Sequence, residues 1–294
     1  MTASPPPLHL AREEMHGTRR QRVDGALRLA YRRDAQGSTR LSNLYQRAPC
    51  RALFPDTDAP EPTQAVLLTT SGGLTGGDRL RIEAEVGAGA QLTLTTQAAE
   101  KIYRALADEA DTVIDVRLRV GTLAWAEWLA QETILFDRAR LRRRLTIDIA
   151  ADAHLLATES VVFGRRAMNE HCEHGLLRDV WRIRRDGRLA WADAQHLRGE
   201  LRPLLSARFG FGGAAAGATL VCVGPRAASQ LTMARRLLAE HQVEAAATVI
   251  DGILIVRLLA ADALSLRAAT VAITATLRAA VGDLPARLPR VWHC

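Results

Sequence analysis

The stretch LLTTSGGLTGGDRL, Leu67 to Leu80, carries the first residues that could do chemistry. Gly72 and Gly77 have the spacing that opens a phosphate-binding loop, which should continue with Lys and then Ser or Thr. Here Asp78 and Arg79 follow instead. A carboxylate at the position of the phosphate-binding ammonium repels the ligand, by roughly 4 kcal/mol at about 4 Å and an effective dielectric near 20. RLRIEAEV comes next and alternates like a strand, whereas a phosphate-binding loop must open a helix. The glycines therefore read as a bend between strands, and Asp78 needs another explanation.

Three carboxylates interrupt apolar runs: Glu132 in WLAQETILF, Glu159 at the end of HLLATES, and Asp193 in RLAWADA. A buried carboxylate is costly unless it is paired or wet. Two readings stay open, salt bridges to the many arginines or a water-filled path that holds a divalent cation loosely through oxygen ligands. His171, Cys172 and His174 of HCEH, with His293 and Cys294, form the most metal-like cluster. No second HxxH or CxxC supplies the three or four converging ligands a zinc site needs, so a solvated turn is the favoured reading. No nucleophile elbow or HExxH is present, which argues against an enzyme.

The elements that must position these residues are mainly strands. LRIEAEVGAGAQLTLTT, DVRLRVGTLAWAEWLAQ and RLTIDIAADAHLLATES each read as strand, small-residue turn, strand, with turns beginning near Val86, Val120 and Ile149. A recurrence of about thirty residues suggests stacked units, a helically coiled, β-solenoid-like arrangement, with an ordinary antiparallel sandwich as the alternative. The last third changes character. RAASQLTMARRLLAEH has helical spacing, VEAAATVIDGILIVRLLA reads as a hairpin turning at Asp251-Gly252, and a second helix starts at the N-cap Asp262. Residues 1–20 read as a flexible segment and 21–294 as one domain, β-rich over 21–210 and helix-hairpin-helix over 211–294.

The 294 residues carry a formal net charge of +7, and Lys101 is the sole lysine among the cations. The basic runs are short and lack interleaved aromatics, so nucleic-acid binding is kept only as an alternative function, and a basic surface equally suits docking onto acidic protein partners. No stretch approaches eighteen uninterrupted apolar residues and the N-terminus lacks a secretory apolar run; no membrane association and cytoplasmic residence are expected. The four cysteines are expected to be reduced, unpaired thiols.

Taken in order, GGLTGGDRL, EVGAGAQLTLTTQAAEKIYRA, EWLAQETILF, RRLTIDIA with HLLATE, VFGRRAMNE and LPRVW resemble the urease accessory protein family UreD, also called UreH. The resemblance spans about residue 20 to Trp292. It implies a non-catalytic scaffold that works with UreF, the GTPase UreG and the urease structural subunits, with two-fold pairing of the accessory complex as a further possibility. It implies no tightly bound cofactor and a transient Ni²⁺ passing along a polar tunnel. By motif match Asp78, Glu159 and Asp193 fall at the family's acidic tunnel positions; Glu132, from its context, and Glu100 are weaker candidates. Gly72, Gly73, Gly76, Gly77, Lys101 and Tyr103 fall in its turn and KxYR elements, with a structural or interface role. The chain departs from the family pattern at Thr69-Thr70-Ser71, where His-Pro-Pro is usual, at Ala130, where proline is usual, and at Glu100.

Overall fold

A computed structural model describes residues 21–165 and 168–293 of the chain. The expected flexible segment 1–20 and the terminal Cys294 lie outside the described residues. The chain opens with β1 (Asp24–Arg33), β2 (Thr39–Arg47), β3 (Cys50–Leu53) and β4 (Thr63–Thr69). The middle holds β5 (Arg79–Val86), β6 (Gln91–Thr96), β7 (Glu100–Ile102), β8 (Thr112–Val120), β9 (Trp125–Leu129), β10 (Thr133–Leu135), β11 (Arg140–Ile149) and β12 (His154–Phe163). There follow β13 (His174–Arg185), β14 (Arg188–Glu200), α1 (Leu201–Ser206), β15 (Ala216–Val223), α2 (Leu231–Leu238), β16 (Glu244–Ile250), β17 (Ile253–Ala260) and α3 (Ala263–Gly282).

The strands form two sheets. The first runs β14-β13-β11-β8-β5-β1-β2; the second runs β16-β17-β15-β12-β9-β6-β4-β3, with β7 and β10 paired off this path. The recurring units each place one strand in each sheet, and successive units pair in parallel: β5 with β8 and β8 with β11, β6 with β9 and β9 with β12. Their turns stack as well. The N–H groups of Gly87, Gly121, Ala150 and Asp186 donate to the carbonyls of Tyr31, Val86, Val120 and Ile149, each one unit earlier. Gly121 is required there, because a Cβ would lie 2.9 Å from the Ala88 nitrogen.

The mainly β class agrees with the sequence, but a uniform solenoid is not indicated. Parallel pairing is confined to the middle strands. Antiparallel pairs flank it, β1 with β2, β13 with β14, β3 with β4, and β12 with β15, β17 and β16 in turn. The hairpin at Asp251-Gly252 forms as the turn chemistry requires, both residues having positive φ, 48° and 75°. Its strands extend the second sheet through β15, which the sequence reading passes over. AGATLVCV is buried at every position and so shows no alternation.

Two apolar layers result. One lies between the sheets, the other between the second sheet and the helices. α3 starts as expected at Asp262, whose carboxylate accepts from the Ser265 N–H at 2.8 Å. It is long and apolar enough to span a membrane by length and composition, yet one side of it is core, with Leu266, Ile273, Leu277 and Val281 buried on the second sheet. α2 is shorter than its helical pattern suggests, because residues 228–230 form a tighter 3₁₀ turn. α1 has no counterpart in the sequence reading. Its six residues lack a side-chain cap, too little signal for a pattern to show.

Candidate functional site

Between the sheets lies a cavity of about 260 Å³. Its outer rim is built by the glycine turn at Gly72-Gly73, by Arg51 on β3, and by Glu100 and Lys101 on β7. Its walls are apolar, and its inner end carries Arg143 and Glu159.

Strand geometry explains that inner end. In β11, RLRRRLTIDI, alternate residues Leu141, Leu145, Ile147 and Ile149 point inward, and Arg143 shares their face while Arg142 and Arg144 point out. Directly opposite in parallel β13 sits Asp179. The Arg143 guanidinium donates to its two oxygens at 3.1 and 2.6 Å and to Thr133 Oγ1 at 3.0 Å. It also closes on Glu159, which reaches across from β12 in the other sheet. Trp128 Nε1 donates to the second Glu159 oxygen at 2.9 Å. One guanidinium thus serves two buried carboxylates. Burial pushes the Glu159 carboxyl up to about 7, against the opposing pull of Arg143.

At the rim, Glu100 accepts from Thr69 Oγ1 at 2.9 Å, and burial holds its carboxyl above the usual range. The KxYR element frames the glycine turn. Lys101 is exposed, and its carbonyl accepts from the Leu74 N–H at 2.8 Å. Tyr103 stacks edge-on against Phe136 and donates its hydroxyl proton to the Gly72 carbonyl at 3.0 Å. Gly73 has φ 137°, and a Cβ there would come within 2.5 Å of the Tyr103 ring and 2.9 Å of the Lys101 carbonyl. Gly76 is pressed against Glu109 in the same way, and Gly77 turns the chain at φ 84°.

The remaining acidic candidates are engaged elsewhere and are not among the residues lining the cavity. Asp78 is buried, but its oxygens accept from the backbone N–H groups of Val23 at 2.9 Å and Thr75 at 2.8 Å. It clamps the glycine turn to the start of β1. Glu132 forms a two-oxygen ion pair with Arg267 of α3, at 2.9 and 2.8 Å, while Arg267 also lies over the Trp292 ring. Asp193 pairs with Arg257 at 2.7 Å. For Glu132 and Asp193 salt bridging describes the structure. The HCEH stretch does not converge: Cys172 is buried with its Sγ donating to the Phe136 carbonyl, and His171 and His174 are exposed. Among the described residues no trio of His, Cys, Asp or Glu is placed to hold a metal. Cys50, Cys172 and Cys222 are free, and burial pushes Cys50, which lines the cavity, up to about 11.

The sequence reading missed Arg143 and Asp179. It also missed Glu127 on β9, fully buried and bound to the equally buried Arg278 of α3. Arg278 reaches on to Glu61 at 2.8 Å. The shared parity of Arg143 with its apolar neighbours was the available signal. Glu127 sits in a strand buried on both faces, where no parity exists.

Compared with known proteins, residues 23–293 match the family model described as UreD urease accessory protein. The chain belongs to the UreD family. A UreD protein from Magnetococcus marinus is 43% identical over 277 residues, covering 92% of this chain and 94% of the relative. UreD proteins from Rhizobium leguminosarum bv. trifolii and a Methylobacterium species are each 44% identical, with 94% of this chain covered and 97% and 96% of theirs. UreD is a family of accessory proteins and not of enzymes. The cavity is therefore read for what it can hold or pass.

Proposed function

We propose that this chain acts in urease maturation, helping nickel reach apo-urease in the cytoplasm together with UreF and the GTPase UreG. The UreD family match over 23–293 carries the maturation role. The cavity supports the nickel path. It joins the exposed turn at Gly72 to the buried Glu159, with Glu100 at the rim. Its ionisable lining is mostly carboxylate, guanidinium and ammonium, with a single thiol held protonated by burial. Oxygen donors release nickel readily, whereas converging thiolates and imidazoles would retain it. In this reading Glu100 admits the cargo and Glu159 hands it on; Asp78 keeps the rim in shape.

The test is co-expression of the urease structural subunits and the other accessory proteins with and without this chain, assaying nickel content and urease activity. Loss of both without the chain is the expected result. Full activity without it overturns the proposal. With the chain present, Glu159→Gln and Glu100→Gln should lower nickel loading while the accessory complex still co-purifies; dissolution of the complex would make those carboxylates structural.

A further inference from the structure

α2 and α3 pack on the second sheet, and α1 meets the first only where β13 begins and β14 ends, so most of the outer face of the first sheet carries no helix. Parallel register arranges its outward residues in rows across strands about 4.8 Å apart. One row reads Arg28, Glu83, Arg117, Thr146, Arg182 from β1 to β13; the next reads Ala30, Glu85, Arg119, Asp148, Arg184. Some of these charges neutralise each other, as in Arg28–Glu83 at 3.4 Å, Arg32–Glu85 at 3.2 Å and Arg184–Asp148 at 4.0 Å. Arg79, Arg117, Arg119, Arg178 and Arg182 are exposed on the same face and have no ion pair among the described residues. Between β2 and β8 the face dips into a groove of about 340 Å³, lined among others by Arg28, Arg32, Glu83, Glu85, Arg117 and Arg119.

Five guanidiniums without an ion pair among the described residues thus stand on one sheet, free to meet a partner. Each offers a planar fork suited to a carboxylate, held in fixed register by the strands beneath. The interleaved Glu83, Glu85, Asp115 and Asp148 decide the kind of partner. A uniform polyanion such as a nucleic-acid backbone would meet them as repulsion, whereas a folded surface with net negative, mixed charge can place its own cations opposite them. Among the described residues, the exposed aromatic on this face is Tyr45, and it already lies under Arg28, so a stacking platform for bases is not formed there. We infer that the outer face of the first sheet, centred on Arg117, Arg119 and Arg182, is the docking surface for an acidic protein partner. This rests on the urease-maturation reading for its choice of partners, but not on the cavity.

The test is the full-length chain carrying R117E, R119E and R182E, with R117Q, R119Q and R182Q as the milder set and R236E, on α2 against the second sheet, as the control. Affinity is measured for purified apo-urease, UreF and UreG separately, at about 50 and about 300 mM salt. One partner is expected to lose about a hundredfold to the reversed set and about tenfold to the neutral set, and its binding to wild type to weaken with salt; the control retains affinity. Circular dichroism identical to wild type excludes misfolding as the cause. Unchanged affinity for every partner overturns the inference while leaving maturation intact if the reversed chain still activates urease. Equal loss in the control overturns it too. So does binding of a random DNA duplex that is as tight as any protein and lost in the same variant, which makes the face a polyanion site. A wild-type chain that binds none of the three and fails to support activation sinks both this inference and the proposed function.

Discussion

Arg278 on α3 and Glu127 on β9 meet at 2.7 Å, 151 residues apart in the chain and with neither side chain exposed to solvent. Thr93 Oγ1 and the second guanidinium contact to Glu61 complete the cluster. The pair fixes helix to sheet in a place where water cannot compensate either charge. Arg278→Met should therefore cost roughly 3–5 kcal/mol by stranding Glu127, as read by urea unfolding. Adding Glu127→Gln should recover much of the loss. No recovery would mean that packing of the arginine stem, and not charge, holds α3.

Asp78 gives a second prediction. Asp78→Ala leaves the N–H groups of Val23 and Thr75 without their acceptors, which should cost roughly 1–3 kcal/mol each. Asp78→Asn keeps one acceptor and should cost less. Nickel binding by the folded chain should be unaffected by either change, measured by isothermal titration; a selective loss of metal affinity at full stability would return Asp78 to the path.

At the glycine turn, Gly73→Ala must displace both the Tyr103 ring and the Lys101 carbonyl, from a positive φ. A loss of about 1–3 kcal/mol is expected from strain of that kind. Tyr103→Ala in the same chain should restore only part of it, because the carbonyl remains. Thermal unfolding of the single and double variants separates the two contacts.

Glu159 sets a pH dependence. Its folded pKa, about 7, lies above the ordinary carboxyl value of 4.5, so between these values the folded chain holds a proton that the unfolded chain gives up. The stability it contributes is complete below about 4.5 and is lost as pH rises through about 7. Wild type should thus lose Tm relative to Glu159→Gln between about pH 5 and pH 8. Parallel curves for the two proteins would show that Arg143 keeps Glu159 ionised throughout.

Much of the architecture was legible because its strands have one wet face. TVIDVRLRV and RLTIDIA alternate, and the turn residues at Asp251-Gly252 and the cap at Asp262 do locally what their chemistry dictates. The second sheet was harder to read, since β9, β12 and β15 are sandwiched between layers and have lost their alternation. The site divides in the same way. Glu159 stands out as a carboxylate among apolar neighbours, and Glu100 by its departure from the family pattern. Whether an acid faces a cavity or meets a distant partner depends on chain far away in sequence, 151 residues for Glu127 with Arg278 and 135 for Glu132 with Arg267. Asp78 misled for a different reason: the acceptors it serves are backbone N–H groups, which every sequence possesses and none displays.

The stacked units have a cost during synthesis. Within the parallel stretch a strand's partner in its own sheet is never the next strand made. Arg79 of β5 waits for Val113, and Thr112 of β8 for Leu141. At a few residues per second the newest strand stays unsatisfied on one side for seconds. Throughout that time its free amides and carbonyls can be taken by the edge of another nascent chain. Only when β13 folds back as β14, and β15 joins β12 and is followed by the β16–β17 hairpin, does the growing side of each sheet end in a hairpin. The polypeptide is thus most vulnerable to aggregation while it is still being made, and a binding protein present at the ribosome would protect yield more than it would the finished fold.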